Sequence, residues 1–435
     1  MNPLFIVFTL ALLVAQFALP QRFAFAPLLI AACHFQNVPV IQVGVNFDVA
    51  KLVILAGLIR AARENSLAWT TRQPLDLLVA AWAGWLLISG FAHNPPDHNP
   101  ITIRLSLIYG MAGTYLYSRA FIRNPEDYFR YVKCLAVVVI PLALLVLYEK
   151  YAQQNIYGML AGDSSEVTIR EGRVRAAGPF AHPILLGTFA ATSLVLLAPL
   201  YNKYKYWYIA GTVACVVTVF GSASSGPIVT LGSGLMGLAI WRWRTSVGRI
   251  RTLVILVFLG LHLAMQAPVW YLMARIDLAG GSTGWHRAEL ITAALNHLDE
   301  WWLVGTDYTR HWIAYGVTWS QYQVDITNYY IGMGVTGGLP LLLLFVAILV
   351  KVFQLLGRRM QTLRRANDHR EFILWSVGAS LFAHCFTFLS ISYFDQSYIP
   401  LMLVIGAVTG LCAERAAVHE NPIMEDRFDM GELQD

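Results

Sequence analysis

Residues 183–200, PILLGTFAATSLVLLAPL, contain no charged side chain, and runs of this kind recur along the whole chain. About 20 apolar residues are enough to cross the ~30 Å hydrocarbon core of a bilayer, where a helix satisfies its own backbone groups. Apolar runs lie near 4–19, 24–42, 46–61, 75–92, 101–121, 134–150, 183–200, 206–221, 227–241, 252–270, 329–350, 372–391 and 398–413. Only 13% of the 435 residues are charged, against roughly 25% in a soluble domain. The expected fold is all-α, a polytopic transmembrane helix bundle of about 12–13 spans. The first two runs, split by LPQRF, read as two short spans or one broken element. No signal-peptide cleavage pattern is visible, so the first run is expected to stay as an anchor.

The net charge of +5 does not point to nucleic acid, because the basic residues sit in short loops between apolar runs. That is the pattern that sets membrane orientation. Arg119, Arg123, Arg130 and Lys133 form one such loop, and Arg242, Arg244, Arg249 and Arg251 a second. The third holds Lys351, Arg358, Arg359, Arg364, Arg365 and Arg370. Even numbers of spans separate the three, which places them together on the cytoplasmic side with the acidic tail 414–435. The chain divides accordingly into N-terminal spans 1–150, an extracytoplasmic loop 151–182 and central spans 183–270. A long extracytoplasmic loop 271–328 and C-terminal spans 329–413 follow. The five cysteines lie almost entirely in apolar runs without metal-ligand spacing and read as small buried hydrophobes.

Two outer loops carry the unusual chemistry. GRVRAAGPFAHPILLGTF, residues 172–189, sets Arg173, Arg175 and His182 against an apolar helix, and positive charge there opposes the orientation rule. A guanidinium holds two phosphate oxygens at once. Arg173, Arg175 and Arg287 therefore read either as a clamp for a lipid-linked phosphate or as partners of Glu166, Glu171 or Glu289. GWHRAELITAALNHLDEWW has helical periodicity but is too polar to span, so an amphipathic surface helix is expected. Any of the outer histidines, His93, His98, His182, His286, His297 and His311, can act as a base, although packing or capping explains a single histidine equally well. His182, ahead of Pro183, reads as a cap. Asp325 and Asn328 stand one turn apart before an apolar run, where capping is again the simpler role. Glycines 332, 334, 337 and 338 permit a kink, Asp395 is a further outer carboxylate, and Asp48 with Lys51 reads as a structural ion pair. Patterns for zinc hydrolases, phosphate loops and serine hydrolases are absent, so no metal or other cofactor is expected.

Three of these segments together resemble the O-antigen ligase and polymerase family, bacterial membrane enzymes that join lipid-linked saccharides outside the cytoplasmic membrane. VRAAGPFAHPILLGTF is similar to the family's Arg-x-x-Gly-x-Phe-x-x-Pro segment. GWHRAELITAALNHLDEWWLVGTDY is similar to its outer-loop helix, and GMGVTGGLPLLLLF to the span that follows. The likeness covers about residues 165–350; the first 150 match in hydropathy alone. It implies a membrane glycosyltransferase fold and an inverting, metal-independent reaction in the bacterial inner membrane, with the site facing the periplasm. The implied donor is an undecaprenyl-diphosphate-linked oligosaccharide held by Arg175 and Arg287, with Arg173 beside them. The implied acceptor is a saccharide or lipid, and other polysaccharide-assembly proteins are implied partners. The family's ligases carry a histidine at the place of Gln323 and Val324. Its absence favours a polymerase over a ligase, and leaves Asp325, His286 or His311 as the catalytic base. A transporter or flippase of the same lipid-linked sugars is the alternative, and it predicts ionisable groups near the bilayer midplane.

Overall fold

The computed structural model describes residues 3–36, 38–43, 45–64, 73–96, 99–275, 284–313, 315–316, 318 and 320–412; His98 and the acidic tail 414–435 lie outside them. Among these residues the chain is mostly helical, with seventeen α-helices and two two-stranded hairpins. The helix starts follow local chemistry. Proline, which lacks the N–H that a first turn leaves unused, opens the helices at Pro74, Pro100, Pro125 and Pro183. Side chains of Asp48, Asn99, Asn124, Asn155 and Asn328 accept first-turn N–H groups. Asp48 also pairs with Lys51 at 2.8 Å, the structural ion pair expected from their spacing.

Among the described residues, four helical segments are long and apolar enough to cross a membrane: Pro125–Ala152, Ser225–Ala264, Tyr329–Arg365 and Asp395–Cys412. Shorter apolar helices of 10–17 residues include Pro3–Ala18, Pro74–Gly90, Pro183–Leu197, Lys205–Gly221 and Glu371–Thr387. The expected span 24–42 is corrected. Its helix is only Ala26–His34, nine residues, or about 14 Å at 1.5 Å per residue. Pro39 cannot continue a helix, β-branched Val38, Val40 and Ile41 favour extended chain, and the hairpin Ile41–Val43 with Val45–Phe47 follows. The helix Val247–Ala264 contains no buried residue although it is rich in Leu, Val, Ile and Phe. Such a surface is stable where lipid chains take the place of water.

Polar side chains hold apolar helices together inside the bundle. Ser376 and Ser380, on Glu371–Thr387, donate to the carbonyls of Val195 (2.8 Å) and Thr192 (3.0 Å) on Pro183–Leu197. Tyr329, Phe345, Phe388 and Tyr393 form an edge-packed aromatic core beside them.

The two ends of the bundle differ in chemistry. At one end Arg244 and Arg364 both bond the buried carboxylate of Glu371 at 3.3 and 2.7 Å, and Pro125, Arg359 and Arg370 line one small cavity. The three basic loops therefore gather together, as their even spacing predicts. The loops 151–182, 271–328 and 390–397 meet at the other end. There Gln396 Nε2 donates to Pro179 O (2.9 Å), the Ala181 N–H to Asp395 Oδ2 (3.0 Å), and the Asn94 N–H to Asp307 Oδ2 (3.0 Å).

Candidate functional site

The loop 151–182 contains structure that periodicity does not reveal. Thr168–Arg170 and Arg173–Arg175 form an antiparallel hairpin, with Thr168 opposite Arg175, Ile169 opposite Val174 and Arg170 opposite Arg173. Glu171 and Gly172, both at positive φ (52° and 71°), make its two-residue turn, the geometry that matches strand twist. Directly paired residues project to the same face, and alternate residues on a strand share it. Arg170, Arg173 and Arg175 consequently stand on one face, with Ile169 and Val174 on the other. Exposure falls along that face from Arg173 at the tip to buried Arg175 at the base.

Arg175 donates one terminal N–H to Ser224 Oγ at 2.6 Å, and Ser224 in turn donates to the carbonyl of Ser222 at 2.9 Å. The N–H of Ala176 bonds Gly221 O (3.2 Å), so the base of the hairpin is seated on the 221–224 turn between two helices. Glu149, buried at the end of Pro125–Ala152, accepts from the N–H groups of Ala177 and Gly178, both at 2.9 Å, and fixes the chain that leaves the hairpin. Arg175 and Arg287 do not pair with Glu166, Glu171 or Glu289; Glu289 instead accepts from Tyr271 at 2.7 Å. The Nε of each is buried without a hydrogen-bond partner among the described residues. Burial makes both guanidiniums easier to deprotonate than usual, and Arg170 acts on each in the same direction. One exposed guanidinium on the hairpin is thus within electrostatic reach of both.

Arg287 belongs to Gly284–Asn296, the expected amphipathic helix. The Asp325 carboxylate acts on it and favours its charge without closing to an ion pair. His286 is buried next to Arg287, and its Nε2 lies 3.1 Å from the carbonyl of Asp325. A carbonyl can only accept, so Nε2 carries the proton and Nδ1 is the free lone pair of the neutral ring. Asn328 rather than Asp325 caps the next helix, accepting from the Ile331 N–H at 3.1 Å, which leaves the Asp325 carboxylate outside the capping role.

Asp325 and Arg287 are thus electrostatic neighbours, His286 is bonded to the Asp325 carbonyl, and the charge of Arg170 acts on both Arg175 and Arg287. Arg173 lies farther out on the hairpin tip. His311 lies elsewhere on the loop, its Nε2 2.9 and 3.0 Å from the two oxygens of Glu300. The remaining described outer histidines have local roles. His93 joins Asp307 (2.6 Å) and the Val304 carbonyl (2.8 Å). His182 caps Pro183–Leu197 through Nδ1, which accepts from the Ile184 N–H at 3.2 Å. Burial, then the charge of Arg175, lowers the His182 imidazole to about 4. His297 bonds the carbonyl of Ala293 through Nδ1 at 2.8 Å.

Arg170, Ser224 and Glu149 were not selected from the sequence. The only signal for Arg170 was its place two residues before Gly172, and strand register alone turns it towards Arg175. A cavity of about 840 Å³ lies at the opposite, basic end, lined by Lys203, Trp241, Arg244, Arg364 and Arg370 among others. Its arginines Arg244, Arg364 and Arg370 are already paired with Glu371 or Asp368; Arg359, beside Arg370, has a buried Nε without a partner among the described residues, as Arg175 and Arg287 do at the outer end. Compared with known proteins, the chain matches no family model and no curated sequence.

Proposed function

We propose that the protein is a membrane glycosyltransferase that joins polyprenyl-diphosphate-linked oligosaccharide units, acting as a polymerase at the periplasmic face of a bacterial inner membrane. The observation that carries this reading is that Arg175, buried, and Arg287, half-buried, come from two separate outer loops and each have a buried Nε without a hydrogen-bond partner among the described residues. A buried guanidinium N–H without an acceptor is costly to keep, and an anionic oxygen would satisfy it. The hydrophobic body of the bundle would hold the polyprenyl chain of such a donor.

In this reading the acceptor hydroxyl oxygen attacks the anomeric carbon while the bond from that carbon to the diphosphate oxygen breaks. The electron pair leaves on the lipid diphosphate, where Arg175 and Arg287 stabilise the growing charge. Asp325 takes the hydroxyl proton. Arg287, its electrostatic neighbour, would hold the donor diphosphate beside it. His286 would act by holding the Asp325 backbone through its carbonyl.

The experiment is turnover of a defined polyprenyl-diphosphate oligosaccharide by protein reconstituted in vesicles, reading longer glycans and released lipid diphosphate. Arg175→Ala and Arg287→Ala are each expected to slow turnover by about 10²–10³-fold, and Asp325→Asn by about 10²–10⁴-fold, with the protein still inserted. Unchanged glycan products from the Arg175→Ala and Arg287→Ala double variant would remove the basis of the proposal.

A further inference from the structure

A second cluster lies on the same outer loop, at the far end of the helix that carries Arg287. His297 stands just beyond Gly284–Asn296, Glu300 lies in the short helix Leu298–Trp301, and His311 in the turn Arg310–Trp312. One donor atom from each, a ring nitrogen or a carboxylate oxygen, lies within 4.8 Å of the other two. At metal–ligand lengths of about 2.0–2.2 Å, donors bound to one ion stand about 3–4 Å apart, so small side-chain rotations close the set.

His297 and Glu300 are each held by a contact from outside the set, as metal ligands commonly are. His297 Nδ1 donates to the carbonyl of Ala293 (2.8 Å), which leaves Nε2 as the lone-pair nitrogen of the neutral ring. The same ring stacks on Trp312, with centroids 5.7 Å apart and planes 16° from parallel. Trp312 in turn donates from Nε1 to Glu300 Oε2 at 2.9 Å and orients that carboxylate. His311 Nε2 donates its N–H to the Glu300 carboxylate, so an ion bound between them would take the place of that proton; the His311 ring meets His297 edge-on at 5.2 Å.

We infer that His297, Glu300 and His311 form a binding site for a divalent transition-metal ion of the zinc class. Two imidazoles and one carboxylate suit zinc and its neighbours better than calcium or magnesium, which prefer oxygen alone. Three protein ligands leave a fourth position for water. The ion would fasten the end of Gly284–Asn296 to the turn at 310–312. Thr309, next to that turn, accepts the Val324 N–H through Oγ1 at 3.1 Å, so the fastening reaches the segment that presents Asp325. This inference is independent of any transferase activity.

The test uses the full chain purified in detergent with a tag free of histidine, stripped with a chelator, and titrated calorimetrically with Zn²⁺ alone. A single saturable equivalent is expected, together with a rise in melting temperature on adding Zn²⁺. His297→Ala and His311→Ala should each weaken binding by more than about 100-fold, and Trp312→Phe, which keeps the ring but loses the bond to Glu300, by about 10-fold. His286→Ala should bind Zn²⁺ as the parent does. Should His311→Ala misfold, Glu300→Gln, nearly isosteric, carries the same expectation. Absence of saturable Zn²⁺ binding by the parent, or binding that survives His297→Ala and His311→Ala combined, overturns the inference.

Discussion

Arg175 shows how little of a residue's role is written at its own position. The sequence marks it as a cation out of place for its side of the membrane. What distinguishes it is that Ser224 satisfies one nitrogen while Nε has no partner. Its neighbour His182 yields a pH prediction. The folded imidazole is lowered to about 4, from an ordinary value of 6.5. The unfolded chain therefore binds more protons between these values, so the neutral ring's contribution is intact above pH 6.5 and declines as pH falls towards 4. Thermal melts of the detergent-solubilised protein should show a midpoint falling across that window. His182→Asn, which keeps a capping side chain, should flatten the fall; an equal slope in parent and variant would assign the acid sensitivity elsewhere.

At the scale of the element, the glycines 337 and 338 decide how the outer loop meets the bundle. They interrupt Tyr329–Arg365 with non-helical backbone, and Gly338 has φ 77°. The backbone groups freed there are satisfied from elsewhere: Trp85 Nε1 donates to Gly337 O (2.7 Å) and Arg104 to Thr336 O (2.6 Å). The Leu339 N–H reaches Trp302 O (2.8 Å), and the Thr306 N–H reaches Val335 O (2.9 Å). Broken helices are tolerated at membrane depth only with such replacement partners. A Cβ at Gly338 would collide with the backbone of Leu303 in addition to the left-handed strain. Gly338→Ala is therefore expected to cost about 1–3 kcal/mol, visible as a lower melting temperature in detergent. The kink was readable from the run of glycines. Its partners Trp85 and Arg104 were not, because they come from helices more than two hundred residues away in sequence.

For the molecule as a whole, the separation of two chemically distinct ends makes a prediction about orientation. Charge bias predicts a cytoplasmic side for the basic loops, and the 168–175 hairpin belongs to the opposite end. Single cysteines introduced at Arg173 and at Arg242, both exposed, should react with an impermeant thiol reagent from opposite sides of sealed cells or vesicles. The native cysteines are buried or half-buried and give a low background. Labelling of both positions from the same side would refute the two-ended arrangement.

Hydrophobic runs, helix-opening prolines, capping side chains and the distribution of Lys and Arg suffice for the helical character, most helix positions and the grouping of the basic loops. These depend on neighbours within a few residues or on summed composition, and a linear reading captures both. Strand register, the seating of Arg175 on Ser224, the approach of Asp325 to Arg287 and the meeting of His297, Glu300 and His311 arise only when distant segments pack. A hydrogen bond or a shared ion depends on ångström distances across the fold, and no spacing along the chain encodes those distances.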